Sequence, residues 1–302
     1  MCCCSCRVCG GVTNLLRGGI IGADPPGKAG EPASRRPEVG LNSAKGDAVK
    51  MNEIVSLKDI VVDFDGERIL DELSLDIHDK EFVTFLGPSG CGKTSLLSIF
   101  AGILQPSSGK AEVLGAPPDP RANSTGYMLQ RDHLFDWRTI EQNALLGLEV
   151  KKRLNAETHA YAAELLDRYG LGAFKDYYPR QLSGGMKQKA ALIRTLAFSP
   201  ELLLLDEPFS ALDYQQRLLL ADEVHSIIKR GGYTAVLVTH DISEAICMSD
   251  RVIILSERPA RIRKQVEINM GSDTPLERRS NPLFREYYDA VWSEFLSLIH
   301  IS

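Results

Sequence analysis

Eight residues carry the first chemistry: Gly87, Pro88, Ser89, Gly90, Cys91, Gly92, Lys93 and Thr94, a run of the form G-x-x-x-x-G-K-[ST]. Its glycines let backbone N–H groups curl around an anion, and a helix opening at Ser95 aims its positive end at the same point. Lys93 has the reach to meet β- and γ-phosphates, and the Thr94 hydroxyl is a hard oxygen ligand suited to Mg²⁺. The preceding run, 82–86, is mostly apolar, as a parallel strand buried on both faces must be. Residues 95–101 read as helix. Strand, loop and helix in this order predict a nucleotide site.

Two further runs could complete it. Four leucines, 202–205, lead into Asp206 and Glu207. A buried strand ending in a carboxylate brings Asp206 beside the phosphate loop, where it can hold Mg²⁺ directly or through water. Glu207, one residue on, is set to polarise an attacking water as general base. The third run is LSGGM, 182–186, just ahead of a helical pattern. Ser183 suits an N-cap, and Gly184 and Gly185 expose N–H groups at a helix start, a second anion site. One nucleotide does not need two cradles. The economical reading is that Ser183, Gly184 and Gly185 serve a nucleotide held by another subunit.

The elements around these runs suggest how they are positioned. Strand patterns at 54–64 and 70–77 flank the turn signal Asp65-Gly66, which predicts a hairpin. Short strands follow at 109–113, 125–129, 202–205, 235–239 and 252–255, with helices at 140–148, 157–169, 184–198 and 215–229. The predicted class is α/β: a P-loop core with a mostly parallel sheet, an N-terminal antiparallel β subdomain and a helical subdomain at about 130–198. Residues 274–302 read as one short C-terminal helix docked by Tyr287, Tyr288 and Trp292.

Composition narrows the function. The 302 residues allow one large domain or two small ones, and 44% hydrophobic and 25% charged content are those of a soluble globular protein; the main domain is expected over 51–270, with a helical tail over 271–302. A formal charge of −5 argues against nucleic-acid binding through a basic surface. No apolar run approaches the ~18 residues of a membrane helix, so any spanning is left to another chain. Residues 1–50 lack apolar periodicity and are expected to be disordered, with the working protein starting near Met51. Five of the seven cysteines lie there, and Cys6 and Cys9 have no second pair or His within reach to complete a metal site. Cys91 and Cys247, far apart in sequence, read as reduced thiols of a cytosolic protein.

The phosphate loop, LSGGM, the 202–208 run LLLLDEP and Thr239-His240-Asp241, in this order and spacing, resemble the ATP-binding cassette family, the motor subunits of ABC transporters. The resemblance covers about 52–263. It implies ATP and Mg²⁺ as substrate and cofactor, and it assigns further residues. Gln130 matches the glutamine that touches Mg²⁺ and the lytic water and senses the membrane partner. His240 matches the histidine that contacts the γ-phosphate, and Asp213 lies in a loop that crosses the dimer interface. Phe64 takes the place of the aromatic that stacks on adenine. Lys189 departs from the pattern, since many relatives carry Arg there.

Only 89 positions separate Thr94 from Ser183, too few for the coiled coils of DNA-repair cassettes, and one cassette per chain is unlike the translation types. The stretches 134–143 and 255–262 are similar to nitrate, sulfonate and taurine importers. The resemblance therefore implies a homodimer sandwiching ATP, peripheral on the cytoplasmic face of the membrane, with permease subunits and, indirectly, a substrate-binding protein. Leu134, Phe135 and Trp137 are expected to be exposed and to receive the permease. The 62 residues after His240 leave little room for a regulatory domain. The alternatives are an export or non-transport cassette, or a P-loop kinase, which would leave LSGGM and His240 unexplained.

Overall fold

The hairpin expected around Asp65 and Gly66 forms, with both residues in the left-handed region (φ 50° and 86°) that a type I′ turn requires. The computed structural model describes residues 52–121, 125–210, 212–271 and 274–299; the expectations for 1–50 lie outside them. In chain order the strands are β1 (Glu53–Phe64), β2 (Glu67–His78), β3 (Phe82–Leu86), β4 (Ser108–Val113), β5 (Thr125–Met128), β6 (Leu202–Asp206), β7 (Thr234–Thr239), β8 (Arg251–Leu255) and β9 (Ile262–Glu267). The α-helices are α1 (Lys93–Phe100), α2 (Ile140–Val150), α3 (Ala156–Arg168), α4 (Gly184–Leu196), α5 (Tyr214–Gly231), α6 (Ile242–Met248), α7 (Pro275–Ser280) and α8 (Leu283–Ile299).

Two sheets form. One is antiparallel, in the order β2-β1-β4. The other runs β5-β6-β7-β3-β8-β9, parallel except for β9. β3, β6 and β7 are buried at every position because helices or the smaller sheet cover both faces. The antiparallel sheet and α1 share one core with the large sheet, through Leu70, Leu73, Phe85, Leu97, Phe100 and Val236. On another cluster, Leu145 of α2, Leu165 of α3 and Ile193 of α4 pack with Leu203 and Ile228.

The register positions the site. Leu86 of β3 pairs with Thr239 of β7, and Asp206 of β6 with Val238 of β7, so the carboxyl ends of all three strands finish level. Ligands of open α/β sheets bind outside such ends.

Among the described strands and α-helices, sequence patterns miss two and merge two others. β9 is an edge strand with only Ile262 and Val266 partly buried, so its alternation is faint. α6 has seven residues, too few for a helical period to stand out. The C-terminal segment forms α7 and α8, parted near Asn281, where one helix was expected. α8 docks through Val291, Phe284, Tyr287 and Tyr288, while Trp292 stays 41% exposed.

The segment entering α2 also departs from expectation. Leu134 is buried (8% exposed) and Phe135 half-buried, and only Trp137, stacked on Phe135 at 4.8 Å between ring centroids, stands out at 73% exposure. The fully buried Asn143 causes this. Its Oδ1 accepts from Phe135 N at 2.8 Å, and its Nδ2 donates to the carbonyls of Phe135, Arg138 and Thr139 at 2.9–3.1 Å. Asn143→Leu keeps volume but strips buried backbone groups of partners, which costs about 2–4 kcal/mol. Thermal unfolding should show it as a Tm lower by ~5–15 °C; an unchanged Tm would mean water takes over those bonds.

Candidate functional site

Gly92, which precedes α1, has φ +116°, and a Cβ there would sit 2.8 Å from Leu70 Cδ2. Only glycine closes this loop without strain. The side chain of Lys93 folds back, and its buried Nζ donates to the carbonyls of Gly87 (2.7 Å) and Pro88 (2.8 Å). Its charge is thus held at the loop, and among the described residues no carboxylate is bound to it. Arg258, from the turn after β8, donates to Gly90 O and braces the loop's outer side. Ser89 and Gly90 are exposed, as is Thr94, while Cys91 is buried and Ser95 half-buried. Burial pushes the Cys91 thiol above its ordinary range, so it is a packing residue.

Asp206, at the end of β6, faces Thr94. Its Oδ1 lies at the 3.5 Å limit from Thr94 Oγ1, and its Oδ2 accepts from Tyr127 OH at 3.3 Å. Burial raises its pKa, and these two hydroxyls only partly offset that. Tyr127 was not singled out from sequence, because nothing but the pairing of β5 with β6 places it here. Its own pKa is pushed up by burial and by Asp206.

Glu207 leaves the strand with φ +44°, uncommon for a non-glycine residue, while its N–H still bonds Val238 O at 2.9 Å. The turn brings three predicted residues together. Gln130 Nε2 donates to Glu207 Oε2 at 3.1 Å, and His240 Nδ1 meets Oε1 at 3.2 Å. A carboxylate oxygen has two lone pairs, so each Glu207 oxygen keeps one free to accept a proton. The arrangement is that of an oriented base beside an anion cradle.

Other predicted residues stay apart. Phe64 lies at the hairpin end, 58% exposed. Ser183 caps α4 by accepting from Met186 N at 3.4 Å, and Asp213 caps α5 by accepting from Gln216 N at 3.0 Å. Gly184 approaches Leu212, and a Cβ on Gly185 would meet open space. Among the described residues no hydrogen bond joins Ser183, Gly184 or Gly185 to the phosphate loop.

Known proteins share this layout. The pattern of the ABC transporter family matches residues 70–210. An ABC transporter ATP-binding protein of Bacillus subtilis, YtlC, is 47% identical over 229 residues, covering 75% of this chain and 88% of its own. This chain belongs to the ABC transporter ATP-binding family. It is an ATPase, as that membership and the site's geometry require.

The taurine import ATP-binding protein TauB of Jannaschia sp. is 37% identical over 74% of this chain and 85% of its own. The nitrate import ATP-binding protein NrtC of Synechococcus elongatus is 40% identical over 73% of this chain, which spans 34% of that longer protein. Among solved structures, the dimeric bacterial cassette MJ0796 superposes with TM-score 0.63 at 28% identity, over 71% of this chain and 99% of its own. No helix among the described residues is long and apolar enough to cross a membrane.

The residues present fit the metal this family uses. Mg²⁺ prefers one or two protein oxygens and takes the rest from substrate phosphates and water. The Thr94 hydroxyl and the buried Asp206 carboxylate, 3.5 Å apart, would supply that donor set.

Proposed function

We propose that this chain is the motor of an importer, a homodimer that drives a separate permease receiving a nitrate-, sulfonate- or taurine-type small molecule from a substrate-binding protein. The observation carrying this reading is the likeness to nitrate and taurine import ATP-binding proteins at 40% and 37% identity. The work is done on the cytoplasmic face, where ATP is supplied.

ATP is the substrate of the site. Lys93 and the N–H groups of 87–92 hold its phosphates, and Phe64 offers a π-face for adenine. Thr94, Asp206 and Gln130 would hold Mg²⁺, which neutralises charge on the transferred phosphoryl group. Glu207 takes the proton of the attacking water, aimed by Gln130 and His240. Ser183, Gly184, Gly185 and Asp213 act on the nucleotide or interface of the partner copy.

The deciding experiment reconstitutes the chain with its permease and binding protein in vesicles and follows labelled nitrate, sulfonates and taurine. ATP-dependent movement toward the ATPase side is expected; movement the other way would make the system an exporter. Trp137 should be central to the permease contact, because a large exposed aromatic beside a rigid turn is a typical hot spot. Trp137→Ala should weaken association with the permease by ~30-fold or more, the equivalent of about 2 kcal/mol. Titration of detergent-solubilised permease measures this, and unchanged affinity would move the contact off this turn.

A further inference from the structure

Helix α6 begins beside His240, and Glu244 in its first turn is buried at 7% exposure. Glu244 Oε2 accepts from the Thr239 hydroxyl, while Oε1 has no partner among the described residues. The Thr239 oxygen in turn accepts from Asp241 N at 3.1 Å, and Asp241 Oδ1 accepts from Glu244 N at 3.0 Å. Both neighbours of His240 in the chain are therefore tied into one ring of bonds that closes on Glu244. His240 itself points at Glu207.

For stability alone this carboxyl is a poor choice. A buried acid with an unpaired oxygen is costly, and an apolar residue or an amide would serve the helix better. Little around it offsets the charge. Asp241 and Glu207 oppose ionisation. Arg217 of α5 favours it, but lies 3.6 Å from Asp241 Oδ2. β3 and β7 contain no ionisable residue. α8 meets α6 through an apolar and aromatic layer that includes Tyr287 and Tyr288, and Arg278 of α7 reaches the far end, at the carbonyls of Cys247 and Ser249. Burial, the largest influence, raises the Glu244 pKa to about 7.

We propose that Glu244 is a positioning residue for ATP hydrolysis, which through the Thr239 hydroxyl holds the backbone that aims His240 at Glu207. This rests on the reading above, which puts His240 and Glu207 at the hydrolytic centre. When ionised, Glu244 Oε2 accepts a hydrogen bond from the Thr239 hydroxyl and leaves the Thr239 lone pairs to Asp241 N. When protonated, its O–H competes for that same oxygen and the ring loosens. Turnover therefore gains a step as pH rises through about 7. A glutamine cannot ionise, and its amide oxygen accepts the Thr239 proton at any pH.

The test measures kcat and KM for ATP with the full chain from about pH 6 to 9. Glu244→Leu and Thr239→Val should each lower kcat by ~10-fold or more with KM unchanged, as loss of aim rather than of binding implies. The double variant should be no slower than the worse single one, since both remove the same bond. Glu244→Gln should keep wild-type turnover at alkaline pH and lose the step near 7. It should also change stability in a defined sense. The folded pKa lies above the ordinary 4.5, so wild type loses stability as pH rises from there to beyond 7, and the Gln variant escapes that loss.

A merely structural Glu244 would shift Tm and leave the kcat step in place, and that result would overturn the proposal. So would wild-type kcat in Glu244→Leu, or single effects that multiply in the double variant. If Glu244→Leu does not fold, the near-isosteric Glu244→Gln and Thr239→Val carry the test. Failure of the underlying reading shows separately, as normal turnover by Glu207→Gln.

Discussion

Glu207→Gln should bind ATP as tightly as wild type and hydrolyse it at least ~10²-fold more slowly, the loss expected when a positioned general base is removed. The substitution is isosteric. Its amide still meets Gln130 and His240, whose contacts lie at 3.1 and 3.2 Å, so the site's shape survives while its proton acceptor is gone. Lys93→Ala should fail differently. It removes the charge folded against the Gly87 and Pro88 carbonyls, and the phosphates lose their compensating cation. Nucleotide binding itself should collapse. Filter binding of labelled ATP beside phosphate release separates the two defects. Full turnover by Glu207→Gln would show that another group activates the water.

Two copies of this chain should close on ATP and open after hydrolysis. The physical reason is that each chain has two helix starts of anion-binding type, at the phosphate loop and at Ser183, and no hydrogen bond among the described residues joins them within one copy. A two-fold pair would set each Ser183 opposite its partner's loop, which would make the interface isologous and place two nucleotides in it. ATP then favours the closed state because only that state contacts it from both sides. The Glu207→Gln variant, which retains ATP, should sediment as a dimer with Mg-ATP and as a monomer without nucleotide. Adding Ser183→Arg places a bulky cation in the joint and should abolish the dimer while leaving Lys93-dependent binding. Ser183→Ala should weaken the dimer less than Ser183→Arg, since it removes the hydroxyl and its cap to Met186 N, the cap being about 1 kcal/mol, without adding bulk or charge. A Glu207→Gln variant that stays monomeric at high protein and ATP concentration would contradict the composite site.

Much of this was legible in the chain alone. An apolar run ending in G-x-x-x-x-G-K-T determines a buried strand, an anion-binding turn and a helix start, because few backbones satisfy those residue types together. The 202–207 run likewise determines a buried strand that delivers a carboxylate, and the Asp65-Gly66 hairpin follows from local turn preferences. These are short-range constraints, written in neighbouring residues. Tertiary structure decided what depends on distant ones. Tyr127 joins Asp206 only because β5 pairs with β6, Arg258 reaches Gly90 across 168 positions, and Leu134 is buried because Asn143 folds its segment inward. β9 hid because an edge strand buries too little to show a pattern, and Glu244 because α6 is too short for one. Spacing can name the residues that meet a phosphate; only packing determines which others hold them in place.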